Sequence, residues 1–268
     1  MPNRRNLFFF YHHNDQTNQQ VEQLKKIAAD NNFFVIENDE EANIVVSIGG
    51  DGTFLQAVRK TGFRDDCLYT GINNTSSPSL YADFNINETA KLLDAMSNEN
   101  IEVRRYPTIK VTIDDHTSFY CLNDCSIRSS IIKTFVMDVY IDNLLFETFR
   151  GDGMVVATPT GSTGYTKSLK GAVVDPMLPC IQLSELASLN NIKYRTLGSS
   201  LILSGERELT LKVVQDGNDH PIIGMDNEAL SIQHIKKISI KLGDKRIKTV
   251  KLKDNSYWEK VHRKFIQQ

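Results

Sequence analysis

The chain has 268 residues, enough for one large domain or two modest ones, and 40% of them are hydrophobic while 24% are charged. This composition excludes a collagenous, coiled-coil or mainly disordered protein. The 31 basic and 33 acidic residues leave a net charge of −2, so no whole-chain field favours nucleic acid or an anionic membrane. We expect neither as a partner.

The four cysteines are too few and too scattered for a disulfide framework or a zinc knuckle, so buried free thiols are expected. The six histidines show no metal-ligand spacing, and we predict no metal site built by the protein. Residues 7–11 form a shorter apolar run than a signal peptide requires, and no run approaches the roughly 18–20 residues of a membrane span. A cytoplasmic location is therefore expected.

Short apolar runs alternate with helical periodicity over the first hundred residues. Residues 7–11, 33–36 and 44–48 predict buried strands, and Val21, Leu24, Ile27 and Ala28 mark one face of a helix between the first two strands. A further helix is expected to begin near Asn87. This order predicts an α/β domain of the Rossmann or flavodoxin-like class over residues 1–100.

From about residue 101 the apolar period changes to two. Ile109, Val111 and Ile113 alternate with polar residues, and two apolar runs flank Asp142-Asn143 as in a β-hairpin. The stretch 180–191 is the one segment that we predict to be helical. We expect a β-rich, sandwich-like domain over residues 101–251. The lysines and arginines near its end, Lys251 among them, are expected on a solvated face.

A glycine-rich loop, Gly49-Gly50-Asp51-Gly52-Thr53, joins the strand over 44–48 to a helix. Glycines at a strand-to-helix turn let backbone N–H groups approach a phosphate, and the helix N-terminus favours negative charge, so Gly49, Gly50 and Gly52 are candidate phosphate-binding residues. A carboxylate beside phosphate is repelled unless it handles a proton or a metal ion, which makes Asp51 a candidate general base for phosphoryl transfer. The alternative is a tight turn with Asp51 or Thr53 as a helix cap.

Other glycine motifs fit this loop less well. The third glycine of a dinucleotide-binding Gly-x-Gly-x-x-Gly is replaced by Leu55, and no Gly-x-x-x-x-Gly-Lys-Ser/Thr occurs. Neither a Rossmann dehydrogenase nor a Walker-type ATPase is supported.

A second loop combines glycines with hydroxyl residues. Gly151-Asp152-Gly153 precedes an apolar strand, which runs into Thr158-Pro159-Thr160-Gly161-Ser162-Thr163-Gly164-Tyr165. Hydroxyl groups and backbone donors beside an aromatic ring suit a base or a ribose. Alone, the segment is more typical of an ordinary loop.

Together with Asn123-Asp124, the two loops resemble in order and spacing the motifs of bacterial NAD kinases, and the resemblance covers nearly the whole chain. It implies transfer of the terminal phosphate of ATP, with a divalent cation such as Mg²⁺, to the 2′-hydroxyl of the adenosine ribose of NAD. It also implies that residues 252–268 pack back on the first domain, and that the protein is a dimer or tetramer.

The resemblance assigns a role to each matching residue. Asp51 is the proton acceptor; Gly52 and Thr53 neighbour the dinucleotide; Asn123 and Asp124 hold its hydroxyls or base; Asp152, assisted by Arg150, meets the far end of NAD. The adenosine pocket is lined by Thr160, Thr163, Gly164, Tyr165, Ser168 and Ala187.

The chain departs from the family pattern at four places. Asp124 stands where the family usually has Glu, Gly164 where it usually has Ala, and Asn227 where it has Gly; residues 73–81 lack the usual glycines and Phe. Two alternatives stay open: a lipid kinase of the diacylglycerol type, which shares the first motif, and a dinucleotide-binding regulator without activity.

Overall fold

The computed structural model describes residues 5–97, 100–214, 221–231 and 234–267. The chain divides into two compact units, one comprising Met1–Arg105 with Ile247–Gln268 and the other Tyr106–Arg246. Over the described ranges, no helix combines the length and the apolar character needed to cross a membrane.

The first unit is an α/β structure. Its elements are β1 (Asn6–Tyr11), α1 (Asp15–Asp30), β2 (Phe34–Val35), β3 (Ile44–Ile48), α2 (Asp51–Lys60), β4 (Leu68–Asn73), β5 (Phe84–Asn85), α3 (Thr89–Ser97), the start of β6 (Ile101–Ile113), the end of β17 (Lys237–Leu252) and α5 (Tyr257–Phe265). A short 3-10 helix, Asp39–Glu41, precedes β3.

Strands β1 to β4 form a parallel sheet in the order β2-β1-β3-β4, and Thr249 of β17 pairs with Tyr69 of β4. Asn14 caps α1, whose buried face includes Val21 and Leu24 and packs into the apolar core of this sheet. The register pairs Tyr11 with Ile48, so the carboxyl ends of β1 and β3 lie at one edge. Ligands of parallel α/β sheets bind at such an edge, and the glycine loop starts there.

The second unit consists mainly of two antiparallel sheets. Its further elements are β7 (Thr117–Cys121), β8 (Asp124–Arg128), β9 (Phe135–Ile141), β10 (Leu144–Gly151), β11 (Gly153–Ala157), α4 (Tyr165–Ser168), β12 (Cys180–Leu186), β13 (Leu201–Ser204), β14 (Leu209–Val213), β15 (Ile222–Met225) and β16 (Glu228–Ser231). One sheet has the order β10-β9-β14-β17-β6-β7, and the other β13-β12-β11-β8-β15-β16.

Apolar residues from both sheets form one core in this unit, as in a β-sandwich. Phe135 and Met137 of β9 share it with Ile127 of β8 and Met154 of β11, all completely buried. The hairpin prediction is confirmed: β9 and β10 pair across a turn in which Asp142 takes a φ of +54°. The predicted fold class, an α/β domain followed by a β-rich sandwich-like domain, is also confirmed.

The helix predicted over 180–191 is wrong. Residues Cys180–Leu186 form strand β12, which pairs with β11 on one side and β13 on the other. Six of its seven residues are buried, so the polar-apolar alternation of a half-exposed strand is missing. Spacing alone cannot separate such a run from a buried helix.

Candidate active site

The glycine loop closes tightly between β3 and α2. Gly49 has a φ of +149°, and a Cβ built on it would lie 2.3 Å from Thr53 Oγ1, so glycine is required there. Gly50 is the N-cap residue of α2, and because it has no side chain, no side-chain hydrogen bond caps the first turn of this helix. Asp51 is the first residue of the helix, and its carboxylate is directed to other partners. The helix-cap alternative therefore does not describe Asp51.

One carboxylate oxygen of Asp51 is fully engaged. Oδ1 accepts hydrogen bonds from Ser79 Oγ, at 2.5 Å, and from the backbone N–H groups of Leu80 and Tyr81, at 2.9 and 3.0 Å. Three donors on one oxygen fix the plane of the carboxylate, so Oδ2 is the oxygen that is left to face a reactant.

The other oxygen of Asp51 is paired with a lysine. Lys264 Nζ of α5 lies 2.5 Å from Asp51 Oδ2, and the two side chains are 29% and 21% exposed. Burial acts to raise the pKa of Asp51, but the Lys264 ammonium and the donors on Oδ1 outweigh it, and the pKa lies below its ordinary value. Asp51 is therefore an ion in this state.

Residues 73–81 form the segment that supports Asp51. Asn73 folds it into a turn, because its amide donates to Ser77 O at 2.8 Å and its carbonyl accepts from Thr75 N at 3.0 Å. Tyr81 is buried, and its ring stacks on Phe54 of α2 with centroids 4.9 Å apart. This segment thus provides the donors for Asp51.

Behind this segment lies a buried cluster of three charges. Lys260 Nζ contacts Asp83 Oδ1 and donates to Leu80 O at 3.2 Å, while Lys251 Nζ donates to Tyr81 O and lies 3.4 Å from Asp83 Oδ1. The three side chains are at most 1% exposed. The prediction of a solvated Lys251 is therefore wrong.

The charges of this cluster do not balance, since two ammonium groups face one carboxylate. Burial lowers the pKa of Lys260 to about 7, and Lys251 acts in the same direction, while Asp83 acts in the opposite one. Burial acts to raise the pKa of Asp83, but the two lysines outweigh it, and that pKa is lowered. A polar cavity of about 650 Å³, lined in part by Ser79, Asp83 and Lys260, borders the cluster.

The second unit holds Asn123 and Asp124 at the start of β8. The backbone N–H groups of Leu122, Asn123 and Asp124 donate to the carboxylate of Asp226, at 3.1, 2.6 and 3.2 Å. Asp226 has a φ of +53°, and its own N–H donates to Asp124 O at 2.9 Å. Asp226 thus fixes the backbone of the Asn-Asp pair.

The hydroxyl-rich loop closes on the same backbone. Thr158 Oγ1 and Thr160 Oγ1 donate to Leu122 O, at 2.6 and 3.1 Å. A Cβ on Gly161 would lie 2.0 Å from Asn123 O, so the loop approaches this closely only with glycine. A Cβ on Gly164 would lie 3.5 Å from Asp124 Oδ2. The structure therefore brings the Asn-Asp pair and the loop together.

Asp124 carries an unusual charge state. Burial, followed by the neighbouring Asp226 carboxylate, raises the pKa of Asp124 to about 7. Its side chain lies beside the loop, where Thr160 and Thr163 are buried, Tyr165 is half-buried and Ser168 is exposed. A carboxyl group that titrates near pH 7 can donate a hydrogen bond to a ribose hydroxyl or a base when it is protonated, and can accept one from either when it is ionised.

The remaining predicted residues lie at the other end of the same strands. Asp152 precedes β11 and is exposed, lining a cavity of about 590 Å³ with residues 128–129 and 131–134. Ala187 O would lie 2.9 Å from a Cβ on Gly151, and the Arg150 guanidinium stacks on the Tyr194 ring at 4.4 Å. In the register of β11, Gly153 pairs with Arg128 and Ala157 with Asp124. Ala187 is thus grouped with Asp152, not with the loop over 158–165.

All four cysteines are free and buried, as predicted. In the part of the chain that the structure describes, no group of three or more His, Cys, Asp or Glu residues could hold a metal ion.

Six residues of these sites were not predicted as site residues: Ser79, Asp83, Asp226, Lys251, Lys260 and Lys264. The sequence does indicate that Lys251 is buried, because it follows Ile247 and Thr249 at intervals of two along β17 and therefore lies on their buried face. Helical spacing likewise places Lys260 and Lys264 on the face of α5 that contains Tyr257 and Val261.

Residues 122–252 match the family of the ATP-NAD kinase C-terminal domain. The chain is 69% identical over 226 residues to NAD kinase 2 of Bacillus subtilis strain 168, covering 84% of this chain and 85% of that protein. It is 63% identical over 227 residues to NAD kinase 2 of Halalkalibacterium halodurans, covering 85% of each.

Two solved structures share the fold. A yeast NADH kinase in complex with NADH is 17% identical and has a TM-score of 0.78, covering 98% of this chain and 89% of that one. An NAD kinase from Archaeoglobus fulgidus in complex with ATP is 24% identical and has a TM-score of 0.74, covering 96% of this chain and 99% of that one.

Proposed function

The chain belongs to the NAD kinase family, and we propose how its residues carry out that family's reaction, the transfer of the terminal phosphoryl group of ATP to the 2′-hydroxyl of the adenosine ribose of NAD. The observation that carries the proposal is the Asp51 carboxylate. It is held by three donors on Oδ1, its Oδ2 pairs with Lys264, and it stands at the first residue of helix α2, directly after Gly49 and Gly50.

Asp51 acts as the general base. The ribose oxygen attacks the terminal phosphorus, its proton passes to Asp51 Oδ2, and the bond between that phosphorus and the bridging oxygen of ADP breaks. The amides of Gly50 and Gly52, at the start of α2, meet the negative charge of the phosphates. Gly49 and Thr53 shape this turn.

The second unit binds the dinucleotide in this proposal. Asn123 and Asp124 hold the hydroxyls or base of the adenosine, and the half-buried Tyr165 ring covers it. Thr160, Thr163, Gly164 and Ser168 line the same pocket. The grouping of Asp152 with Arg150 and Ala187, away from the Asn-Asp pair, suits contacts with the far end of an extended NAD molecule.

A divalent cation, Mg²⁺ in this proposal, would neutralise part of the charge of the triphosphate when bound. Among the described residues, no group of three or more His, Cys, Asp or Glu side chains could hold such an ion.

The buried free thiols support a reducing, cytoplasmic location. We also propose that the enzyme is a dimer or tetramer. Light scattering coupled to size-exclusion chromatography tests this, and a mass of one chain at micromolar concentration would contradict it.

The test of the proposed function is the Asp51→Asn variant. We expect turnover to fall about 10²–10⁴-fold, the worth of a general base, while NAD affinity stays within about threefold. NADP formation from NAD, ATP and Mg²⁺ measures turnover, and calorimetry measures NAD binding. Asp66→Asn is the control, since that exposed carboxylate pairs with Arg64 in the same unit. Near-normal turnover by Asp51→Asn would remove Asp51 from its role.

The same assay separates the alternatives. Phosphorylation of diacylglycerol in vesicles, without NADP formation, would identify a lipid kinase. Binding of NAD by the wild-type chain, with no NADP in the presence of ATP or polyphosphate, would identify a regulator. Parallel reactions with NADH and with polyphosphate define which acceptor and donor the enzyme uses.

A further inference from the structure

Helix α5 presents two lysines to the segment that holds Asp51. Ser256 and Glu259 form a capping box at its start, which fixes where the helix begins. Tyr257, Lys260 and Val261 are buried along one face. Lys264 follows Lys260 by four positions and Val261 by three, so it lies on the same face one turn further along.

The buried cluster fastens this helix to the support of Asp51. Lys260 donates to Leu80 O at 3.2 Å, and the N–H of Leu80 donates to Asp51 Oδ1 at 2.9 Å. Lys251 and Asp83 complete the cluster next to Tyr81 O. One short segment thus holds the carboxylate of Asp51 through its N–H groups, α5 through Leu80 O and β17 through Tyr81 O. The position of Lys264 relative to Asp51 is therefore set by buried contacts.

Lys264 differs from the other two lysines in its exposure. Its side chain is 29% exposed, whereas those of Lys251 and Lys260 are 0% and 1% exposed. Its ammonium group contacts Asp51 Oδ2, the same oxygen that receives the proton in the proposed reaction. A flexible four-carbon stem allows that ammonium group to change partners without moving the helix.

We propose that Lys264 is a catalytic residue whose ammonium group pairs with Asp51 before ATP binds and moves to contact the oxygens of the terminal phosphoryl group when ATP arrives. This rests on the proposed function. The exchange has two effects: it removes the repulsion between the Asp51 carboxylate and the triphosphate, and it leaves Oδ2 as a stronger base at the moment of attack.

No proton leaves Lys264 in this step. The ribose proton goes to Asp51, the new bond joins the ribose oxygen to phosphorus, and ADP departs with the electrons of the broken bond. The ammonium group remains positive throughout and stabilises the charge on the phosphoryl oxygens during transfer.

Kinetics of Lys264→Met and Lys264→Arg test the proposal. We expect Lys264→Met to lower kcat about 10²-fold and to raise the KM for ATP, with the KM for NAD within about threefold. Lys264→Arg, which keeps the charge, should recover at least a tenth of the wild-type kcat. Arg263→Met is the matched control, because Arg263 is an exposed residue of the same helix and contacts Asn255; its kcat should stay within twofold of wild type.

The pH profile separates catalysis from support of the fold. Because the Lys264 ammonium lowers the pKa of Asp51 in the free enzyme, the acid limb of kcat/KM should shift to higher pH in Lys264→Met but not in Lys264→Arg. Thermal unfolding of each variant shows whether it is folded at the assay temperature.

Two outcomes overturn the inference. One is a Lys264→Met enzyme with kcat within threefold of wild type; the other is a loss that leaves the acid limb in place and that arginine does not restore. Failure of the proposed function looks different, since Asp51→Asn would then retain activity or the wild-type chain would form no NADP.

Discussion

The half-buried Asp51 and the buried Asp124 are two aspartates with opposite electrostatic surroundings. Asp51 pairs with Lys264 at 2.5 Å, and its pKa is lowered. Asp124 borders the carboxylate of Asp226, and its pKa is raised to about 7. Each lies in a short motif beside a strand, yet one is ionised at neutral pH and the other is near its midpoint.

The comparison shows that partners distant in sequence decide what a motif carboxylate does. Lys264 is 213 positions from Asp51, and Asp226 is 102 positions from Asp124. An ionised carboxylate with a displaceable cation suits proton acceptance during phosphoryl transfer. A carboxyl group poised near pH 7 suits a hydrogen bond whose direction depends on the ligand. Each of these two environments can be broken separately by substitution.

The largest expected effect on stability comes from Asp83→Asn, which removes the carboxylate of the lysine cluster behind Asp51. Two buried lysines would lose their carboxylate, and the free energy of unfolding should fall by about 3–5 kcal/mol at pH 6. The loss should be smaller at pH 9, because Lys260, whose pKa is about 7, is largely neutral at that pH and no longer needs the carboxylate. Urea denaturation at both pH values measures this.

The control for Asp83→Asn is Glu22→Gln, which removes the exposed i,i+3 pair with Lys25. It should change the free energy of unfolding by less than about 0.5 kcal/mol at either pH. An Asp83→Asn enzyme as stable as wild type at pH 6 would contradict the role assigned to the cluster.

Asp124→Asn tests the other environment, in which burial and the neighbouring Asp226 raise the pKa of Asp124. In the wild type the folded state holds a proton on Asp124 up to about pH 7, whereas the unfolded chain releases it near pH 4. Stability contributed by that proton is therefore lost as pH rises from about 4 to 7. The amide introduced by Asp124→Asn does not titrate, so the variant should gain stability relative to wild type between pH 5 and pH 8.

The upper bound of that gain is about 2.7 kcal/mol, because roughly two of the three pKa units of the shift lie above pH 5. Urea denaturation at pH 5 and pH 8 measures it, and Asp152→Asn is the control, because Asp152 is exposed. A difference between Asp124→Asn and wild type that does not change with pH would show that Asp124 has an ordinary pKa.

The smallest effect is expected for Gly164→Ala, which adds one methyl group beside Asp124. The new Cβ would lie 3.2 Å from Gly161 O and 3.5 Å from Asp124 Oδ2, so the loop need shift by only a few tenths of an ångström. The free energy of unfolding should change by less than about 1 kcal/mol, and the KM for NAD by less than threefold. A tenfold rise in KM would show that Asp124 needs the space beside Gly164.

The fold class and the order of elements were predictable because they follow local patterns. The apolar run that becomes β3, the glycines after it and the alternation around Asp142-Asn143 each report on neighbouring residues. Strand β12 was misassigned because it is buried on both faces, and its side chains lose the alternation that distinguishes strands.

The functional motifs were visible in the sequence, but their electrostatics were not. Nothing near Asp51 in the chain indicates Lys264, and Asp83 meets Lys260 across 177 positions. Buried lysines also contradict the usual expectation that charged residues are solvated. Their positions on the apolar stripes of β17 and α5 were the available signal.

The hydroxyl of Ser79 has a fixed orientation. Its oxygen accepts the Ala82 N–H at 2.8 Å, while its hydrogen points to Asp51 Oδ1. When Oδ2 takes up a proton, Oδ1 becomes the carbonyl oxygen of a carboxylic acid and still accepts all three of its donors. The three donors on Oδ1 are thus satisfied both before and after proton uptake, so they need not rearrange during the proton transfer, which keeps their share of the reorganisation energy low.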